Sequence, residues 1–156
     1  MGIAAAEKKR LLSKYDSWAS LPSMAMDMLV AGGDKPFLWS KSSESNEYAP
    51  LTYAQVRKQV ISLSHGLIAA GLKPGDRVVL ASENRPEWLI ADVAIMLAGG
   101  VSVPAYATNT EHDHSHIISD SGAIGLITSG GKVAKQALAA AGKSENIRFT
   151  GAFDDD

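Results

Sequence analysis

Four short strand-like segments, at Arg77–Ser82, Val101–Tyr106, Ala123–Thr128 and Asn146–Thr150, constrain this chain more than any other feature. Helix-patterned stretches separate them. In the first run Val78, Val79, Leu80 and Ala81 follow one another, as in a strand buried on both faces. The next stretch can start a helix with Pro86 at its first position and Glu87 in its first turn, and Gly99-Gly100 ends it. Trp88, Leu89, Ile90, Val93, Ile95, Met96 and Leu97 leave little of that helix polar, which predicts a place between layers. A second helix is expected through Glu111–His116 and a third over Lys132–Ala141. Strands alternating with helices need crossover connections, so the expected fold is doubly wound α/β: a mostly parallel sheet with helices on both faces.

Upstream, Ala4 to Val30 is helix-prone, with a break expected near Leu21-Pro22-Ser23 because proline disfavours helix in the residue before it. Met24, Met26, Met28 and Leu29 are expected to dock on the body, with Lys8, Lys9, Arg10 and Lys14 as a solvated face. Gly32 to Pro36 is a turn. A short strand at Phe37–Ser40 and a polar excursion over Lys41–Tyr48 predict a hairpin. Thr52 and Gln55 form a T-x-x-Q capping box, with Leu51 and Val56 as its hydrophobic staple. Val56, Val60, Leu63, Leu67 and Ala70 then make one helical stripe, closed by Gly71 and Leu72.

With 46% hydrophobic and 21% charged residues over 156 positions, there is enough apolar material for one core. A net charge of −2 lacks the basic surplus of a nucleic-acid surface, so no nucleic-acid partner is expected. The absence of cysteine removes disulfides, thiolate zinc sites and cysteine nucleophiles together. Charged residues interrupt the first apolar positions, and the apolar run Trp88–Val101 is broken by Asp92 and the glycine pair. Neither a secretory leader nor a membrane span is expected, and the predicted location is cytoplasmic.

EHDHSH, Glu111 to His116, gathers three of the four histidines and two carboxylates, which raises the question of a metal site. Thr110 with Asp113 matches an [ST]-x-x-[DE] helix start. At about 100° per residue, His114 falls beside Ile117, Ile118 and Ser121, whereas His112 and His116 fall together on the opposite face. The three cannot converge on one ion. His112 and His116 form an i, i+4 pair that would need ligands from water or a second chain, so no metal site is assigned. His65 lies off the apolar stripe and is expected at the surface. The segment TSGGK, Thr128 to Lys132, joins a strand to a helix, where backbone N–H groups can meet a phosphate, but its spacing fails G-x-x-x-x-G-K-[ST]. Neither G-x-G-x-x-G nor G-x-S-x-G occurs.

LTYAQV at Leu51–Val56, GLKPGDRVVL at Gly71–Leu80, ENRPEWLIADVAIMLAGGVSVPAY at Glu83–Tyr106 and HIISDSGAIGLI at His116–Ile127 come in the order and spacing of one family. They resemble the N-terminal part of the AMP-forming adenylate enzymes, most of all the long-chain acyl-CoA synthetases. The resemblance implies a parent enzyme that uses ATP and Mg²⁺ to convert a fatty acid into an acyl-adenylate, then passes the acyl group to CoA. It divides the chain into a helical segment, 1–36, and a partial α/β domain, 37–156. The family's T-S-G-T-T-G-x-P-K loop, its ribose-binding aspartate, its hinge and its catalytic lysine all come after the matched region. No catalytic, cofactor-binding or metal residue is therefore carried over, and Gly99, Gly100 and Pro104 are read as backbone geometry. The resemblance implies a scaffold piece, inert alone, whose partner is the rest of the enzyme. The alternative is a free-standing α/β interaction module that forms a homo-oligomer through an exposed apolar sheet face. Peripheral membrane association of the parent stays open, since Ala4–Lys14 is basic on one side.

Overall fold

A computed structural model describes residues 5–41 and 46–154. The middle of the expected polar excursion, the last two aspartates and the side chains of Lys8 and Lys14 lie outside what is described. Two helices, α1 (Ala5–Tyr15) and α2 (Leu21–Gly32), lead into strands β1 (Pro36–Lys41) and β2 (Tyr48–Thr52) and helix α3 (Tyr53–Ala69). The alternating part follows as β3 (Arg77–Ala81), α4 (Pro86–Leu97), β4 (Val101–Ala105), α5 (Glu111–Ser121), β5 (Gly125–Thr128), α6 (Gly131–Ala141) and β6 (Phe149–Ala152). β1 and β2 pair as an antiparallel hairpin, and the other four strands form a parallel sheet in the order β4-β3-β5-β6.

The first helical break comes earlier than the proline rule suggests. Ser20 is the N-cap of α2 and Pro22 sits in its first turn, where the missing N–H costs nothing. Ser20 and Ser23 cap one another, a serine version of the capping box. Docking of this helix takes one apolar side chain fully inward: Leu29 is buried, Ala25 and Met26 are partly so, and Met28 is exposed. The box at α3 forms as its spacing requires: Gln55 N–H donates to Thr52 Oγ1 (3.2 Å) and Thr52 N–H donates to Gln55 Oε1 (2.8 Å). Thr52→Ala should lower stability by about 1 kcal/mol in urea denaturation, the usual cost of a lost N-cap. Along α3, Val56, Val60 and Leu67 are buried as the stripe predicts, whereas Ala70 is exposed and Ser64 takes an inward position. Gly71 leaves the helix at φ 97°, and Leu72 N–H then bonds the Leu67 carbonyl at 3.0 Å while its side chain enters the core.

Side-chain alternation along β3 divides the interior in two. Val78 and Leu80 join the cluster built with α2, α3 and α4, and Val79 and Ala81 join the one built with α5 and α6. Each fully buried leucine or isoleucine contributes about 1.5–3 kcal/mol to folding. Arg77 ties the layers together at one end of β3. Its Nε and Nη2 donate to the carbonyls of Ser121 and Gly122, both at 2.8 Å, so a cation caps the C-terminus of α5.

One expectation is corrected here. The last strand begins three residues later than the sequence suggests, because Arg148 N–H already bonds the Ile124 carbonyl and pairing along β5 starts at Phe149. Helices pack on both sides of the parallel sheet. The large exposed apolar side chains of the described strands lie on the hairpin, at Trp39 and Tyr48, and at the sheet edge, at Val101. Among the described residues no helix is long and apolar enough to cross a membrane.

Candidate functional site

In a parallel sheet, crevices open at the C-terminal strand ends where neighbouring strands send their chains to opposite faces. That happens twice here. β3 leads into α4 on one face, while its neighbours β4 and β5 lead into α5 and α6 on the other.

The opening between β3 and β5 is filled by the chain itself. Ser129 Oγ donates to Glu83 Oε2 at 2.6 Å. Arg85 grips Asp154 with both terminal nitrogens, at 2.6 and 2.9 Å, donates from Nε to Glu87 Oε2 at 2.8 Å, and lies 5.6 Å from the Phe153 ring centre. Asp154 Oδ2 also accepts from Gly130 N–H at 3.0 Å. These contacts clip the ends of β3, β5 and β6 together. Hydrogen bonds from Arg85 and Gly130 hold the Asp154 carboxyl below the usual range, and its partners Asp154 and Glu87 raise Arg85.

The opening between β3 and β4 is not filled. It is a cleft of about 460 Å³, lined by Ser82, Glu83, Asn84 and Trp88 on the β3 side and by residues Pro104 to Thr108 on the other. Trp88 is half-buried and Tyr106 is 81% exposed. Glu83 is the only charged residue in the lining.

The histidine cluster resolves as helical geometry requires. His112 and His116 are exposed, His114 is buried, and no group of three histidine or carboxylate side chains that could hold a metal occurs among the described residues. Asp113 caps Thr110, whose N–H and hydroxyl both donate to its carboxylate and hold it below the usual range, and Glu111 pairs with Lys143. His65 is at the surface. In TSGGK, Thr128 and Ser129 are buried and Gly130 N–H is occupied by Asp154.

Comparison with known proteins decides the family. Residues 29–156 match the AMP-binding enzyme family. The chain belongs to that family. A long-chain-fatty-acid–CoA ligase, FadD15, of Mycobacterium tuberculosis is 38% identical over 79 residues, which cover 51% of this chain and 13% of the ligase. A feruloyl-CoA synthase of an Amycolatopsis species is 42% identical over 77 residues, 49% of this chain and 16% of the synthase. The adenylation and carrier didomain of carboxylic acid reductase from Segniliparus rugosus, solved with AMP, superposes with a TM-score of 0.78 at 17% identity, over 86% of this chain and 21% of that one. The α/β fold is thus that of the N-terminal region of adenylate-forming enzymes, and the chain spans less than a quarter of each of these proteins.

Within an AMP-binding fold the nucleotide phosphates need cations or free backbone N–H groups, and Mg²⁺ needs clustered oxygens. The groups described at the two openings do not supply them. The one charge in the open cleft is negative, Arg85 is bound to Asp154 and Glu87, and the Gly130 N–H is taken. Glu83, Arg85 and Asp154 were not singled out from sequence as a site. A signal for the first two existed: a polar Glu-Asn-Arg directly after a strand buried on both faces marks a loop at the strand ends, where open α/β sheets bind ligands. Asp154 gave none, because only the folded chain brings it to Arg85.

Proposed function

We propose that this chain is the N-terminal scaffold of an ATP-dependent, AMP-forming fatty acyl-CoA ligase, and that it is catalytically inert by itself. The whole enzyme would join a carboxylate to the α-phosphate of ATP with loss of pyrophosphate, then transfer the acyl group to the CoA sulfur with loss of AMP. The reading rests on one observation: the family match runs over residues 29–156, and two of the similar proteins are CoA ligases for different acids. The fatty acid is favoured because the resemblance through Val103–Thr110 is to fatty-acyl synthetases. The partner is then the remainder of the enzyme, which would supply the phosphate loop, the acyl pocket and the sites for ATP, Mg²⁺ and CoA.

Incubating the purified 156-residue chain with palmitate, ATP, Mg²⁺ and CoA should release no AMP above a protein-free blank, and turnover would overturn the inertness. Sequencing the gene past the codon for Asp156 tests the ligase reading separately. A frame continuing into a Gly/Ser/Thr-rich loop with lysine supports it. A stop there, with no complementary chain encoded nearby, argues for assembly as the role.

A further inference from the structure

The cleft between the ends of β3 and β4 has a character of its own, independent of the ligase reading. At about 460 Å³ it lies in the range of small-molecule sites, roughly 300–1,000 Å³. The loops that leave β3 and β4 build most of its wall, with Pro104 and Ala105 from the end of β4 and Trp88 from the first turn of α4 as the parts held by regular structure. Its lining carries no lysine, arginine or histidine. The nearest arginine, Arg85, is turned to the other crevice by its two bonds to Asp154. The one charged residue of the lining is Glu83, whose Oε2 accepts from the Ser129 hydroxyl at the end of β5 while no donor among the described residues bonds Oε1.

A carboxylate, phosphate or nucleotide entering here would meet like charge with no cation to offset it. A cation would meet the opposite. Trp88 and Tyr106 add two aromatic rings to the same lining, and aromatic faces attract ammonium and guanidinium groups at about 0.5–1 kcal/mol where exposed and more where water is excluded. Tyr106, in the loop after β4, is 81% exposed at this cleft. The Ser129 bond gives the carboxylate a fixed position, which lowers the ordering cost of using it.

We propose that this cleft is an organic-cation site, taking an alkylguanidinium or alkylammonium group with its charge at Glu83 and its stem or plane against Trp88 and Tyr106. The group comes either from a free small molecule or from a basic side chain of a protein segment. The chemistry is shared, and the test below separates the two sources.

The probes are n-butylguanidinium and N-acetyl-arginine amide, titrated into the 15N-labelled 156-residue chain, with AMP and hexanoate as anionic controls. Saturable shifts are expected at the Trp88 indole N–H and at the backbone amides of Asn84 and Tyr106, with no response to either anion. Glu83→Gln keeps an acceptor for Ser129 and should weaken binding at least tenfold. Tyr106→Ala, at an exposed position, should weaken it several-fold. Both variants should keep the parent's amide dispersion. N-acetyl-arginine amide binding tenfold or more tighter than n-butylguanidinium identifies a protein side chain as the source, and comparable affinities identify a free small molecule. Absence of saturation by either cation, unchanged affinity in Glu83→Gln, or AMP shifting the same three signals would overturn the proposal.

Discussion

Leu80→Ala is expected to lower the unfolding free energy by about 2–5 kcal/mol, toward the upper end of that range. Leu80 is fully buried at the middle of the sheet, in a strand paired on one side with β4 and on the other with β5, and its side chain faces the helices α3 and α4. A strand fixed along both edges cannot move inward to close the hole that the lost atoms leave, so the cavity adds to the lost transfer energy. Domains of this size are stable by about 5–15 kcal/mol in all. Urea denaturation should show the midpoint falling steeply with little change in slope. The exposed Val101→Ala is the control, expected within about 0.5 kcal/mol of the parent. A loss below about 1 kcal/mol at Leu80 would mean that this strand is not the centre of the core.

His114 supplies the second large effect. It is fully buried on α5, and neither ring nitrogen has a hydrogen-bond partner among the described residues. Burial disfavours the imidazolium and lowers its pKa, and the charge of neighbouring Asp113 opposes this only in part. The ordinary value, 6.5, is kept in the unfolded chain. Above it, both states are neutral and His114 contributes no pH dependence. As pH falls below it, the unfolded chain takes up a proton that the folded one resists, so stability falls with acid, by at most about 1.4 kcal/mol per pH unit. Asp113 and Asp154, whose folded pKa values are lowered, lose their contributions only below about pH 4, where unfolded carboxyls begin to protonate. The two windows are separate. His114→Leu removes the buried polar atoms, so stability measured between pH 7 and 5 should become flat and rise at pH 5. An unchanged slope in this variant would show that another group carries the acid sensitivity.

Readability from sequence followed the range of each interaction. The Thr52 and Thr110 caps involve residues three apart and were legible, whereas the Ser20 cap was not, since Ser23 stands where glutamate or glutamine marks the motif. The alternation of apolar runs and helices gave the layers, because a run such as Val78–Ala81 has few other places to go. Strand order was out of reach, and so was the start of β6, which pairing with β5 decides. Helical phase put His114 with Ile117 and Ile118, but not the absence of partners for its nitrogens. At the strand ends the limit is plainest: Glu83 meets Ser129 and Arg85 meets Asp154 only through tertiary structure, and no spacing rule connects them.

The order β4-β3-β5-β6 also sets a timetable for a chain made from its N-terminus. β3 emerges first of the four yet ends up inside the sheet. β4 can take one of its edges soon afterwards, but the other waits until α5 and β5 have been made, and the outer edge of β5 waits for β6. At about 5–20 residues per second the apolar Val78–Ala81 run spends seconds with a bare edge while the ribosome works. Unpaired apolar edges recruit wrong strands. The interval of synthesis between β4 and β5 is when this topology is most exposed to misassembly, and chaperone capture should be concentrated there.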